Sequence, residues 1–174
     1  MNFQLKQLGQ GIALASLLAA AGTAYGATQG TLGADSTGTL DVTVSIEDRV
    51  QISALNDIPL GTYSGTGPLN GSDDFCVYRN GTGLYSLQVV GSENTGPGGV
   101  FRLTNGTDFI TYSVSVNDSP LLDGEDVDGT GSSTSVVCGG STNANLGVEV
   151  AEGDLQSAPS GNYSDRITLV VSPR

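Results

Sequence analysis

The sequence predicts an all-β domain, a β-sandwich preceded by an export signal and a short tail. Three observations carry that reading. Short runs rich in Val, Ile, Thr and Tyr alternate apolar and polar residues with a period of two, the pattern of half-buried strands. Turn chemistry separates the runs, with Gly abundant at 26 residues and charged residues sparse at 14%. No window of useful length beyond the first residues has a helical period, and short strands at this spacing argue for a sandwich.

The first 26 residues read as a secretory signal. Lys6 and the amino terminus give a weakly positive start, Ile12 to Ala21 is an Ala/Leu-rich apolar core, and Ala24-Tyr25-Gly26 offers small residues for cleavage. The apolar run falls short of the roughly 20 residues that span a bilayer. Cleavage after Gly26 leaves 148 residues, one ordinary domain. The expected division is 1–26 signal peptide, 27–47 tail and amphipathic strand, and 48–174 sandwich.

Within the tail, Ala27 to Gly38 has no folding pattern. It leads into Thr39-Leu40-Asp41-Val42-Thr43-Val44-Ser45-Ile46. There Leu40, Val42, Val44 and Ile46 share one face of a strand that needs a groove to bury it. Val50, Ile52 and Leu55 continue as a second strand, stopped by Pro59 and Gly61. Gly65 to Ser72 is expected to be loop. Asp74–Arg79 and Leu84–Gly91 are expected to form a hairpin across Asn80-Gly81-Thr82-Gly83. Ser92 to Gly99 is loop, and Val100–Thr104 pairs with Phe109–Val116 across Asn105-Gly106. Asn117 to Ser133 is a long acidic loop. Thr134–Cys138 and Leu146–Val150 are short strands, and Tyr163 to Val171 is the last strand, ending three residues before Arg174.

The residues that are absent narrow the chemistry. With no histidine, Ser-His-Asp and Cys-His catalysis are impossible, and the usual imidazole metal ligand is missing. No phosphate-cradling loop or dinucleotide fingerprint is present. Carboxylates are plentiful enough for a glycosidase pair, but most fall in loops and no tryptophan offers a sugar-stacking platform. No catalytic residue and no cofactor are therefore expected. Asp123-Gly124-Glu125-Asp126-Val127-Asp128-Gly129 holds hard oxygen ligands, yet it lacks the carboxylates an EF-hand loop requires. A solvated acidic loop and a looser calcium site both remain open. Asn70, Asn80, Asn105, Asn117 and Asn162 begin Asn-x-Ser/Thr triplets, three of them Asn-Gly turns rather than glycan sites.

Lys6 is the only lysine, so the exported chain carries five arginines against 18 acidic residues, a net charge of −13. Such a surface repels nucleic acid and anionic membrane. Neither is an expected partner, and no direct membrane insertion is expected. Cys76 and Cys138 are the only cysteines, and in an exported chain pairing is the default.

From Leu40 to Arg174 these pieces resemble the spore coat protein U-like family, which includes pilins of the archaic chaperone–usher pathway. Leu60-Gly61-Thr62-Tyr63 is similar to the family's F-G-x-Y after its first strand. The cysteine strand leads into Tyr85-Ser86-Leu87, and Ile110-Thr111-Tyr112-Ser113-Val114 is similar to L-x-Y-x-L. Gly161-Asn162-Tyr163-Ser164-Asp165-Arg166-Ile167-Thr168-Leu169-Val170-Val171 is close to G-x-Y-x-D-x-V-x-V-x-V. The sequence departs from the family at Val50, which stands where a first-strand cysteine normally pairs with the position of Cys76.

The resemblance implies an immunoglobulin-like β-sandwich that is incomplete, lacking its last strand and completed by a donor strand. A periplasmic chaperone would fill the gap first. The N-terminal strand of a like subunit would then replace it at an outer-membrane usher, giving a surface fibre that serves adhesion or biofilm formation. On this reading Leu40, Val42, Val44 and Ile46 are the donor residues, and Ile167, Leu169 and Val171 edge the acceptor groove. The ends of the chain agree, because an amphipathic strand is spare at one terminus and no room remains for another at the other. A turn at Glu47-Asp48-Arg49, which has neither Gly nor Asn, would be needed to fold the donor back on its own domain. The alternatives are a tip adhesin or lectin that binds through Ser92–Gly99 or Asn117–Ser133, and a self-complemented secreted coat protein.

Overall fold

A computed structural model describes residues 26–92 and 95–174; the signal sequence lies outside the described residues. Nine strands dominate: β1 (Val50–Ser53), β2 (Leu69–Arg79), β3 (Leu84–Val90), β4 (Phe101–Thr104), β5 (Phe109–Val116), β6 (Ser119–Leu121), β7 (Asp126–Thr130), β8 (Ala144–Val150) and β9 (Thr168–Pro173). Among the described residues a 3₁₀ turn covers Cys138–Gly140 and one short helix, α1, covers Glu152–Ser157. Residues from Ile46 to Arg174 form one compact unit, separate from the residues before them.

The strands form two antiparallel sheets packed as a sandwich. The larger runs β1-β2-β8-β5-β4, with β6 on the same side of β5 as β4, and the smaller runs β7-β3-β9. Alternation builds the core as expected. Tyr85, Leu87 and Val89 of β3 are buried, as are Ile110, Tyr112, Val114 and Val116 of β5. Phe75 and Val77 of β2, with Leu146, Val148 and Val150 of β8, complete it. Fully burying side chains of this kind contributes about 1.5–3 kcal/mol each.

The expected hairpin between Asp74–Arg79 and Leu84–Gly91 does not form. Both strands exist, but β2 is flanked by β1 and β8 while β3 is flanked by β7 and β9. Next to the turn, β1 and the Tyr78–Ser132 bridge take the positions beside Cys76–Arg79, so Asn80 to Gly83 carries the chain across the sandwich from one sheet to the other. Gly81 and Gly83 both take φ near +76° in that crossing, a conformation that favours glycine. The Gly65–Ser72 loop is also shorter than expected. Leu69 to Ser72 already pairs with β8, opposite Val150 to Gly147.

The stretch Asn117–Ser133 is not one loop. Asn117 (φ +48°) and Asp118 (φ +64°) make a two-residue turn that joins β5 to β6, the geometry in which Asn and Asp tolerate positive φ. β7 follows, pairing with β3. It escapes the alternation test because Val127 is its only apolar residue, and Asp126 and Asp128 suit an exposed edge. Thr134–Cys138 is turn rather than strand, since no partner edge is offered to it and the 3₁₀ turn starts at Cys138. α1 is one and a half turns long, too short for a periodic signal, and only its Leu155 packs on the core.

Cys76 and Cys138 are joined, with Cα atoms 5.9 Å apart across a separation of 62 residues. The bridge ties β2 to the segment that crosses behind it, where Ser132 exchanges backbone hydrogen bonds with Val77 and Arg79. The tail has more structure than expected. Thr28 and Thr39 donate to each other's carbonyl oxygens at 2.8 and 3.0 Å, closing residues 28–39 into a loop.

Candidate functional site: an open apolar groove

The last alternating run, Tyr163 to Val171, does not stay in one sheet. Ser164 bridges to Thr104 at the β4 edge of the larger sheet, while Thr168 onward pairs with β3 in the smaller one. Tyr163, Asp165, Ile167, Leu169 and Val171 are half-buried, and Ser164, Arg166, Thr168 and Val170 are exposed. The run therefore keeps one inward row, but a neighbour covers β9 on one side only among the described residues.

Beside that edge lies a groove of about 740 Å³. Ile167 and Leu169 form one wall, and Leu55, Ile58 and Leu60 form the other. Leu103, Leu146 and Val148 also line it, with Tyr112, Asn56, Asp57, Asp73, Asp165 and Arg166 as polar members. Val171, the third residue predicted at the edge, packs against the core rather than lining the groove.

The second wall is built without ladder hydrogen bonds. β1 ends where Ala54 takes φ +65°, deflecting the chain. Asn56 then pins it to β2: its backbone N–H donates to Asp73 Oδ2 at 2.8 Å and its Nδ2 to Oδ1 at 3.1 Å. Ile58 and Leu60 lie so close to Gly71 that a Cβ there would meet Ile58 at 2.4 Å. Sequence reasoning missed this wall because Ile58-Pro59-Leu60 is too short a run to score as a strand, and its role depends on the glycine beneath it.

At the polar end, Tyr112 Oη donates to Asp165 Oδ2 at 2.5 Å, and Asp165 Oδ1 is buried with no partner. Burial, reinforced by the hydrogen bond and charge of Asp165 and more weakly by the charge of Asp123, pushes the Tyr112 hydroxyl well above its usual range. The phenol is therefore a fixed hydrogen-bond donor at any physiological pH. A trough with apolar walls and with Asn56, Asp57, Asp73, Asp165 and Arg166 also lining it has room for an extended segment. It has no nucleophile–base pair.

Leu40, Val42, Val44 and Ile46 are all strongly exposed, between 71% and 88%, and no residue from Leu40 to Ile46 belongs to a strand. The three residues that follow are fixed to the domain. Glu47 O accepts from Asn80 Nδ2, Arg49 N–H donates to Asn80 Oδ1, and Asp48 pairs with Arg79 at 2.8 Å.

The acidic stretch does not gather its carboxylates. Asp123 Oδ1 accepts from the Gly91 N–H at 2.5 Å, Glu125 accepts from the Leu122 N–H at 2.8 Å, and Asp128 pairs with Arg174. Among the described residues no cluster of three metal-ligating side chains occurs, and no helix is long and apolar enough to cross a membrane.

The architecture is thus that of an all-β sandwich with one edge left open over an apolar groove. The same fold occurs in a chain of the chaperone–tip adhesin complex of CFA/I fimbriae biogenesis, at a TM-score of 0.54 and 15% identity over 73% of this chain. It occurs also in a chain of the CsuC–CsuE chaperone–tip adhesion subunit pre-assembly complex of the archaic chaperone–usher Csu pili of Acinetobacter baumannii. There the TM-score is 0.50, with 16% identity over 79% of this chain. The present chain spans less than half of each of those chains, 41% and 44%. No family model matches it, the spore coat protein U-like family included, and no curated protein matches its sequence.

Proposed function

We propose that this protein is a structural subunit of a chaperone–usher type surface fibre, polymerising by donor-strand complementation and carrying no catalytic activity. The observation that carries the reading is the open groove between Ile167–Leu169 and Leu55–Leu60, found in a chain that also exposes four apolar side chains in strict alternation. An unpaired sheet edge above an apolar cleft is an aggregation hazard unless a strand covers it. Strand addition supplies both the ladder and the side chains. A neighbour's Leu40, Val42, Val44 and Ile46 fill the groove, with Ile167, Leu169 and Val171 as its edge. The fold shared with chains from two chaperone–adhesin complexes supports a periplasmic chaperone as the earlier occupant and an outer-membrane usher as the site of exchange.

The test compares the two faces of the donor segment. Val44→Asp places a charge in the groove and is expected to abolish fibres by electron microscopy and heat-resistant ladders on gels. Thr43→Asp, on the outward face, is expected to assemble normally. Equal behaviour of the two variants, or normal fibres from a chain lacking residues 27–46, overturns the reading. Export is tested by intact mass: the mature chain is expected to begin at Ala27, and a retained Lys6 peptide contradicts passage through the periplasm.

A further inference from the structure

The groove has a direction written on its rim. Arg166 is exposed and lines it, between the inward-facing Asp165 and Ile167. Of the five arginines beyond the signal, Arg79 pairs with Asp48, Arg174 pairs with Asp128, and Arg102 lies 4.3 Å over the Phe109 ring. Among the described residues neither Arg166 nor Arg49 has a carboxylate partner. Two copies of a chain this acidic repel each other on approach. An unpaired cation beside the groove is where an acidic strand gains most.

The exposed segment offers two acidic residues on its outward row, Asp41 near one end of the apolar face and Glu47 just past the other. Directly opposite residues on paired strands share a face. If Ile46, Val44 and Val42 lie against Ile167, Leu169 and Val171 in antiparallel order, Glu47 falls opposite Arg166. In parallel order Val42, Val44 and Ile46 take those places, and Asp41 falls opposite Arg166 instead. The same three apolar residues face Ile167, Leu169 and Val171 both ways, while the acidic residue brought opposite Arg166 differs. Parallel pairing is slightly weaker per residue, and every strand-to-strand ladder of this domain is antiparallel.

We propose that Arg166 sets the polarity and register of the inserted strand by pairing with Glu47 of a second copy. This rests on the donor-strand reading and adds a residue that specifies how the strand enters.

Self-assembly of the full mature chain, followed as heat-resistant ladders over time, tests the proposal. Arg166→Glu and Glu47→Arg are each expected to slow assembly about fivefold at low salt, the scale of one exposed ion pair turned to repulsion, with the deficit shrinking in high salt. The double variant Arg166→Glu/Glu47→Arg is expected to assemble within about twofold of the parent, which also shows that it folds. Arg166→Glu/Asp41→Arg is expected to remain slow. Rescue by Asp41→Arg rather than Glu47→Arg overturns the proposal in favour of a parallel strand, and an unaffected Arg166→Glu overturns it outright. Val44→Asp run alongside separates the two levels. If it assembles like the parent, the groove reading itself fails; if it blocks assembly while Arg166→Glu has no effect, only the role of Arg166 falls.

Discussion

Tyr112 shows how a single contact ties the core to the groove. Its ring packs against Phe101, with centroids 5.6 Å apart, while its hydroxyl satisfies one oxygen of Asp165. Tyr112→Phe keeps the ring and leaves the carboxylate with no donor. The expected loss is roughly 1–3 kcal/mol, the range for stranding a buried polar group, read as a lower midpoint in urea. Asp165→Asn keeps an acceptor for the phenol and removes the charge, so it is expected to cost less. The pH dependence has a defined sign. A tyrosine whose folded pKa is raised contributes stability that is fully present below its unfolded value of about 10 and is lost as pH rises beyond it. Ionisation of Tyr112 in the folded protein, read as phenolate absorbance, is therefore expected to begin at lower pH in Asp165→Asn than in the parent, because the neighbouring negative charge is gone.

Two elements depend on connections made behind β2. The segment from Gly131 to Cys138 leaves the smaller sheet at the end of β7, exchanges hydrogen bonds with β2 through Ser132, and is then held by the disulfide. Closing a loop of that length contributes on the order of 4 kcal/mol in the chain-entropy model. Cys76→Ser/Cys138→Ser, or reduction of the parent, is expected to lower stability by about that amount in denaturant melts. Non-reducing peptide mapping is expected to find the two cysteines linked within one chain. Gly131 serves the same crossing by size alone. A Cβ there would stand 2.3 Å from the Val77 carbonyl oxygen, so Gly131→Ala is expected to destabilise by more than 1 kcal/mol, a strain no side-chain rotation relieves.

For the molecule as a whole, the proposed donor-strand assembly implies that the isolated domain is less stable than one whose groove is filled. A bound strand stabilises the folded state by mass action. Burying Leu40, Val42, Val44 and Ile46 contributes roughly 6–12 kcal/mol as an upper estimate. Assembled chains are therefore expected to resist heating that melts the chain lacking residues 27–46, measured by circular dichroism on both.

Much of this was legible in the residues themselves. Period-2 alternation is a local property, so β1, β3, β5, β8 and the exposed Leu40–Ile46 face could be read directly. Export chemistry likewise allowed Cys76 and Cys138 to be paired in advance. Turn propensity is also local, yet it says only that the chain reverses and not which sheet it enters. Asn80–Gly83 has the composition of a hairpin and makes a crossing, because β2 pairs instead with strands about 25 and about 75 residues away in the chain, as the register with β1 and β8 shows. The groove belongs wholly to that second category. Leu55 and Ile58, Leu103, Leu146 and Leu169 come from four separate parts of the chain, and no short window contains the information that they share a space. The sequence could supply the alternating Leu40–Ile46 face; only the packing of two sheets, which leaves one edge without a partner, decided where the opening lies and which side chains line it.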